Sequence, residues 1–173
     1  MLTLVLEDGT GRADANSYAS RAQGDAYHEG VVSASTWTAA SNTVKEAALV
    51  MATRLVDVVA RFGGSRLTST QALQWPRMDC PDLSQPTVFF DSNLVPACVR
   101  DAVCETARRL IAEDRTADAD GVGLKSLNVD GSIDLVFDPE HRRPMLPEFV
   151  QLMLERVGTS RSASSGAVKL QRC

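Results

Sequence analysis

Aromatic side chains are scarce in this sequence, with Phe, Trp and Tyr making up 5% of 173 residues. No basic run is interleaved with aromatics, the pattern that stacking and gripping a single strand usually needs. Histidine is limited to His28 and His141, and cysteine to Cys80, Cys98, Cys104 and Cys173, with no CxxC pair. No zinc or other metal site is therefore expected, and the thiols are expected to be reduced. Cys98 and Cys104 do not share a helical face and make poor partners for one another. No apolar run approaches the roughly 20 residues that span a bilayer. The opening MLTLVLEDGTGR has no basic n-region, so neither a membrane span nor a signal peptide is expected.

Catalytic signatures are missing too. There is no G-x-S-x-G elbow and no GK[ST] phosphate loop. Gly121-Val122-Gly123 lacks the third glycine of a dinucleotide loop. The stretch 116–127 resembles a calcium loop at Asp118, Asp120 and Gly121, but carries Thr116 and Leu127 where its first and last ligands belong. His141, in EHRRP, reads as a solvated connector residue and not as a general base. Asp118, Asp120, Asp130, Asp134 and Asp138 keep their region soluble or repel a polyanion. These absences argue against an enzyme: no catalytic, cofactor-binding or metal-binding residue is assigned.

What is present is organised around one stretch. Residues 44–62 predict a long helix, apolar through Ala47, Ala48, Leu49, Met51, Ala52, Leu55, Val56, Val58, Val59 and Phe62. Glu46, Thr53, Arg54, Asp57 and Arg61 form its narrow polar stripe, expected to face solvent with Asp57 and Arg61 paired. Ser41 or Thr43 caps it, and Gly63 and Gly64 end it. Before it, Leu2, Leu4 and Leu6 alternate as a short N-terminal strand. A helix over 18–28 follows, capped by Asn16 or Ser17, with Tyr18, Ala22, Ala26 and Tyr27 inward and Gly30 closing it. Trp37 anchors one short helical turn against the core.

Residues 65–93 read as a long ordered excursion that buries Leu73, Trp75, Val88, Phe89 and Phe90. A second core helix spans about 96–114, with Pro96 at its first position and Ser92 or Asn93 near its cap. Val99, Ala102, Val103, Ala107, Leu110 and Ile111 form its inner stripe. Arg100, Asp101, Glu105 and Arg108 face away, and Glu105 pairs with Arg109. Residues 122–137 predict a β-hairpin turning at Val129-Asp130-Gly131. A two-residue turn sets Leu127 against Asp134. A three-residue turn, preferred here, pairs Asn128 with Ser132 and Leu127 with Ile133. A last helix covers 147–157, with Phe149, Val150, Met153, Leu154 and Val157 on its apolar side.

The segment 158–173 differs in kind. It is rich in Ser, Gly and Ala, holds Arg161, Lys169 and Arg172, and contains no acid. A whole-chain charge of −4 with +3 in this segment leaves −7 on the rest. Such a piece is a frayed terminus or an arm that orders on a partner, and Ala167, Val168 and Leu170 tilt the reading towards an arm. The fold expected is mainly α, a small α+β. A helical bundle surrounds the apolar helix at 44–62, with an N-terminal strand and a hairpin at 122–137, in one helical domain over 1–157 followed by an extended arm over 158–173.

Several runs together look familiar: Ala15-Asn16-Ser17-Tyr18, the KEAALVMATRLVD of 45–57, the RFGGSR of 61–66 and the QALQWPR of 71–77, then Pro96 opening a helix. The series resembles the head–tail connector, or adaptor, proteins of long-tailed bacteriophages, some of whose relatives are labelled DnaT-like single-stranded-DNA-binding proteins. The resemblance implies a structural virion protein, made in the host cytoplasm and located in the neck. It would form a ring, typically twelvefold, under the portal, joining it to the next neck or tail component while genomic DNA passes through. By position, the arm residues Arg161, Val168, Lys169, Leu170 and Arg172 would contact the portal. Asp130, Gly131 and Ser132 would contact a neighbouring subunit or the next ring. The alternative is a single-stranded-DNA-binding accessory protein. No cofactor and no membrane partner is implied.

Overall fold

The computed structural model describes residues 2–113, 126–129, 133–136 and 144–160. The candidates Asp130, Gly131, Ser132, Arg161, Val168, Lys169, Leu170 and Arg172 lie outside them. Among the described residues the protein is a small α+β fold of five helices and short antiparallel strand pairs. The helices are α1 (Arg21–Glu29), α2 (Ser35–Thr38), α3 (Asn42–Val59), α4 (Ala97–Ala112) and α5 (Glu148–Leu154). The strands are β1 (Ala60–Phe62), β2 (Ser65–Arg66), β3 (Arg77–Met78), β4 (Pro81–Asp82), β5 (Gln85–Phe89), β6 (Ser126–Val129), β7 (Ile133–Val136) and β8 (Gly158–Ser160). The α3–α4 pair is the centre, and α4 also touches α1, α2 and α5.

The N-terminal run contributes a single parallel bridge, Leu6 with Ser17. Beyond it, the turn-rich segment closes around Glu7. This buried carboxylate accepts the backbone N–H groups of Gly9, Gly11 and Arg12 at 2.9–3.0 Å. Helix α1 begins later than expected. Ser20, not Asn16 or Ser17, is the cap, in a reciprocal capping box with Gln23. Its inner face is Gly24 and His28, while Ala22 and Ala26 are exposed. The reason is Trp37, buried on α2, whose ring lies so close that a Cβ at Gly24 would stand 2.7 Å from Trp37 Cζ2. Trp37 Nε1 and Lys45 Nζ both donate to Asp25, at 2.9 and 2.7 Å.

Ser41 caps α3 as one of the two expected residues. The helix stops at Val59, three residues short of the expected end. Ala60–Phe62 turn extended because they pair antiparallel with β8, Arg61 opposite Thr159. Gly64, at φ +64°, then makes the turn into β2, and a side chain there would meet the Met78 carbonyl. Helix α4 starts with Pro96 as N-cap and no side-chain cap, so neither Ser92 nor Asn93 serves. Glu105 does not face away. It is buried, and accepts from Arg108 at 2.5 Å and from Arg109 at 2.8 Å.

Within 65–93, Leu73 and Trp75 are buried and Phe90 packs on the core, but Val88 and Phe89 are exposed. In α5, Val150 and Leu154 are buried and Phe149 is not. The hairpin strands pair Leu127 with Leu135, Asn128 with Asp134 and Val129 with Ile133. Both expected registers are displaced. The observed one places Val129 in the ladder opposite Ile133 and not in the turn.

Candidate nucleic-acid interface

Two arrangements bear on function, one internal and one at the surface. The internal one gathers the runs on which the family resemblance rests. Tyr18 Oη donates to Asp57 Oδ1 at 2.5 Å and accepts the Trp75 N–H at 3.0 Å. Asp57 Oδ2 accepts the Gln74 N–H at 3.0 Å. The Tyr18 N–H donates to Thr53 Oγ1, which itself donates to the Leu49 carbonyl. Arg77 ties the same region to the glycine turn, donating to the carbonyls of Gly63, Gly64 and Gln74. Trp75 packs edge-on against Phe62 and Phe90, and its bond to Pro76 is cis.

The expected solvent-facing stripe of α3 is therefore divided: Arg54 and Arg61 are exposed, Glu46 and Asp57 are half-buried and Thr53 is inside. Thr53 is fully buried, and Asp57 is partnered by Tyr18 and Gln74, not by Arg61. Burial pushes the Asp57 carboxyl up to about 6, against the pull of the Tyr18 and Gln74 donors. Tyr18, buried against that carboxylate, is raised well above an ordinary phenol. Each oxygen here is committed to a protein partner and the tryptophan is closed over, so the geometry suits holding three chain segments together. His28 is likewise internal, its Nε2 3.1 Å from the Cys104 carbonyl, and burial lowers its pKa. Cys80, Cys98 and Cys104 are free thiols, and burial raises all three. Among the described residues no group of His, Cys, Asp and Glu is placed to hold a metal ion, and no helix is long and apolar enough to cross a membrane.

At the surface, five of the cations are already matched among the described residues. Arg12 pairs with Asp14, Lys45 with Asp25, Arg108 and Arg109 with Glu105, and Arg156 with Asp82. The Arg156 guanidinium holds the Asp82 carboxyl well below the usual range, and it also lies 5.8 Å from the centre of the Phe90 ring. The exposed arginines without an ion pair among the described residues are Arg54 on α3, Arg61 on β1 and Arg66 on β2. Arg61 stands beside β8, from which the acid-free segment continues towards Arg161. Both tryptophans are buried and offer no stacking face. Large apolar side chains appear outside instead, among them Val44 and Val58 on α3, 45% and 62% exposed, Val88 and Phe89 on β5, and Phe149 and Leu152 on α5, each of the last two 54% exposed. Sequence periodicity placed Val58 and Phe149 on apolar, core-facing sides, and assigned Val44 and Leu152 to neither face.

A family model described as "Putative DnaT-like ssDNA binding protein" matches residues 2–173. Neither the curated proteins nor the solved structures compared with the chain give a match.

Proposed function

This chain belongs to the DnaT-like ssDNA binding protein family, and from that premise we propose that it is a non-enzymatic accessory protein that binds single-stranded DNA. The supporting observation is the pairing of β1 with β8. It sets the exposed Arg61, with Arg66 a few residues on, at the root of a segment holding three further cations and no acid. Contacts of this kind grip phosphates and carry no sequence information. The acidic remainder of the chain limits the footprint to that edge.

Fluorescence anisotropy with a labelled oligonucleotide across a salt series tests this. Five cations predict a plot of log binding constant against log salt with a slope of about −3.5. Arg61→Ala with Arg66→Ala should flatten that slope by roughly 1.4. Absence of binding at low salt overturns the reading.

A second reading is favoured by the exposed apolar side chains on α3 and α5, which suit protein contacts better than phosphate contacts. In it, the chain is a head–tail adaptor ring in a phage neck, between the portal and the next component, and the segment beyond β8 docks on the portal. Copy number relative to portal in purified particles, by quantitative mass spectrometry, tests it. A fixed simple ratio supports the neck role and absence from particles removes it. The docking test is truncation after Ser160, which leaves β8 in place. Loss of portal binding with unchanged circular dichroism is expected, and retained binding removes the arm.

A further inference from the structure

We propose that Phe89 on β5 is a stacking platform for an unpaired base of a DNA strand whose phosphates are held at Arg61. Among the described residues two aromatic side chains are exposed, Phe89 at 58% and Phe149 at 54%. Phe149 lies on α5, which holds Glu148 and no cation. Phe89 lies beside the basic edge. Phe62 and Phe90 both pack on Trp75, and successive strand residues point to opposite sides. Their neighbours Arg61 and Phe89 therefore point outward, and both are exposed. Between them, Gly63 shares Arg61's side of the chain, and a Cβ there would stand 3.1 Å from Pro81 Cδ. Pro81 is in turn the strand partner of Phe89, and residues directly opposite share a face. The path Arg61, Gly63, Pro81, Phe89 is thus continuous over the outer surface.

The two ends of that path suit different parts of one nucleic-acid strand. Arg61 has no ion pair among the described residues, so its guanidinium can take a phosphate. At the other end the exposed acids Asp79, before Cys80 and Pro81, and Asp91, two residues past Phe89, discourage a phosphate. They leave the uncharged face of a base as the occupant. An exposed ring stacks on any base, which gives grip without sequence readout. Leu83 and Val88 on the same hairpin are exposed as well, but they have no π-face to offer. The hairpin is tied to the root of β8, because the Leu83 N–H donates to the Arg156 carbonyl at 2.9 Å and the Gly63 N–H to the Val157 carbonyl at 3.0 Å. The ring is therefore set in place beside the acid-free segment that follows β8. The inference rests on the DNA-binding reading above and adds the contact that meets the base.

Fluorescence anisotropy on the full chain, with labelled oligothymidine and an abasic strand of the same length, tests it. Phe89→Ala should weaken oligothymidine binding by about tenfold. Its salt slope and its affinity for the abasic strand should match the parent's, because no phosphate contact is lost. Phe89→Leu keeps apolar surface without a π-face and should bind as weakly as Phe89→Ala. Phe89→Trp should bind at least as tightly as the parent, with the added indole emission quenched by oligothymidine and not by the abasic strand. Phe149→Ala should bind like the parent. If the parent binds and Phe89→Ala or Phe89→Leu binds equally well, the stacking role is wrong and the phosphate contacts stand. If the parent binds neither strand at low salt, the DNA-binding reading fails and this inference with it.

Discussion

The inner side of α3 is apolar except where Thr53 and Asp57 meet other segments, whereas its outer side carries apolar residues that a single copy leaves exposed. Inside, Thr53 is buried and Asp57 half-buried among Tyr18, Gln74 and Trp75, and each of their side-chain oxygens has a donor or acceptor. Outside, Val44, Ala47 and Val58 face solvent with Arg54. A buried polar group is tolerable when fully hydrogen-bonded and costly when half-satisfied. The inner side thus fixes one arrangement of three chain segments, residues 17–18, α3 and 74–77. The outer side contributes little to the fold of a single copy and is available to a partner. Breaking the inner side should unfold the protein; altering the outer side should leave it folded.

The largest effect expected is at Trp75, which is fully buried between Phe62 and Phe90. Trp75→Ala should destabilise by about 3–5 kcal/mol in denaturant unfolding. A loss under about 1 kcal/mol would mean that the inner side is not the stabilising one. Tyr18→Phe keeps the ring but removes the hydroxyl that joins Asp57 to the Trp75 N–H. That leaves a buried N–H unpaired and a carboxylate short of a donor, and should cost about 2–3 kcal/mol. A Tyr18→Phe chain as stable as the parent would show that the network contributes geometry without energy.

Sequence periodicity located the helices because each buries a broad apolar stripe, and local chemistry found the Ser41 cap, the Trp37 anchor and the Glu105–Arg109 pair. It misplaced Asp57 because periodicity sends polar residues outward, while Asp57's partners lie 39 and 17 residues away in the chain. It ran α3 on to Phe62 because the reason for stopping at Val59 is β8, the far end of the described chain. It chose Ala22 and Ala26 over Gly24 and His28 because a glycine earns its buried place only from the ring of Trp37. The basic edge was visible only as a scatter of arginines. Which are matched depends on tertiary partners: Arg156 on Asp82, and Arg77 on the glycine turn.

Asp57 also gives the comparison a pH dependence. Its folded pKa is about 6 against an ordinary 3.8, so between those values the folded state holds more of the proton than the unfolded chain. Stability is then greatest below about pH 4 on this account, and falls by roughly 2–3 kcal/mol as pH rises to 6. Asp57→Asn removes that titration, so its unfolding free energy should be flatter than the parent's over the same window. Parallel profiles would mean that Asp57 is no more buried from water than an ordinary surface carboxylate.

The smallest effect on stability is expected on the outer side, and it is the sharpest test of the contrast. Val58 is 62% exposed on a helix whose neighbours Leu55, Val56 and Val59 are buried. Val58→Ser deletes apolar surface that the single copy does not use. In a monomeric sample, unfolding free energy should stay within about 0.5 kcal/mol of the parent. In a concentrated sample the apparent stability of the parent should rise by mass action if copies associate through this face, and that of Val58→Ser should rise less. A loss of 2 kcal/mol or more at low concentration would place Val58 inside the single-copy fold. The two sides of α3 would then both serve the core.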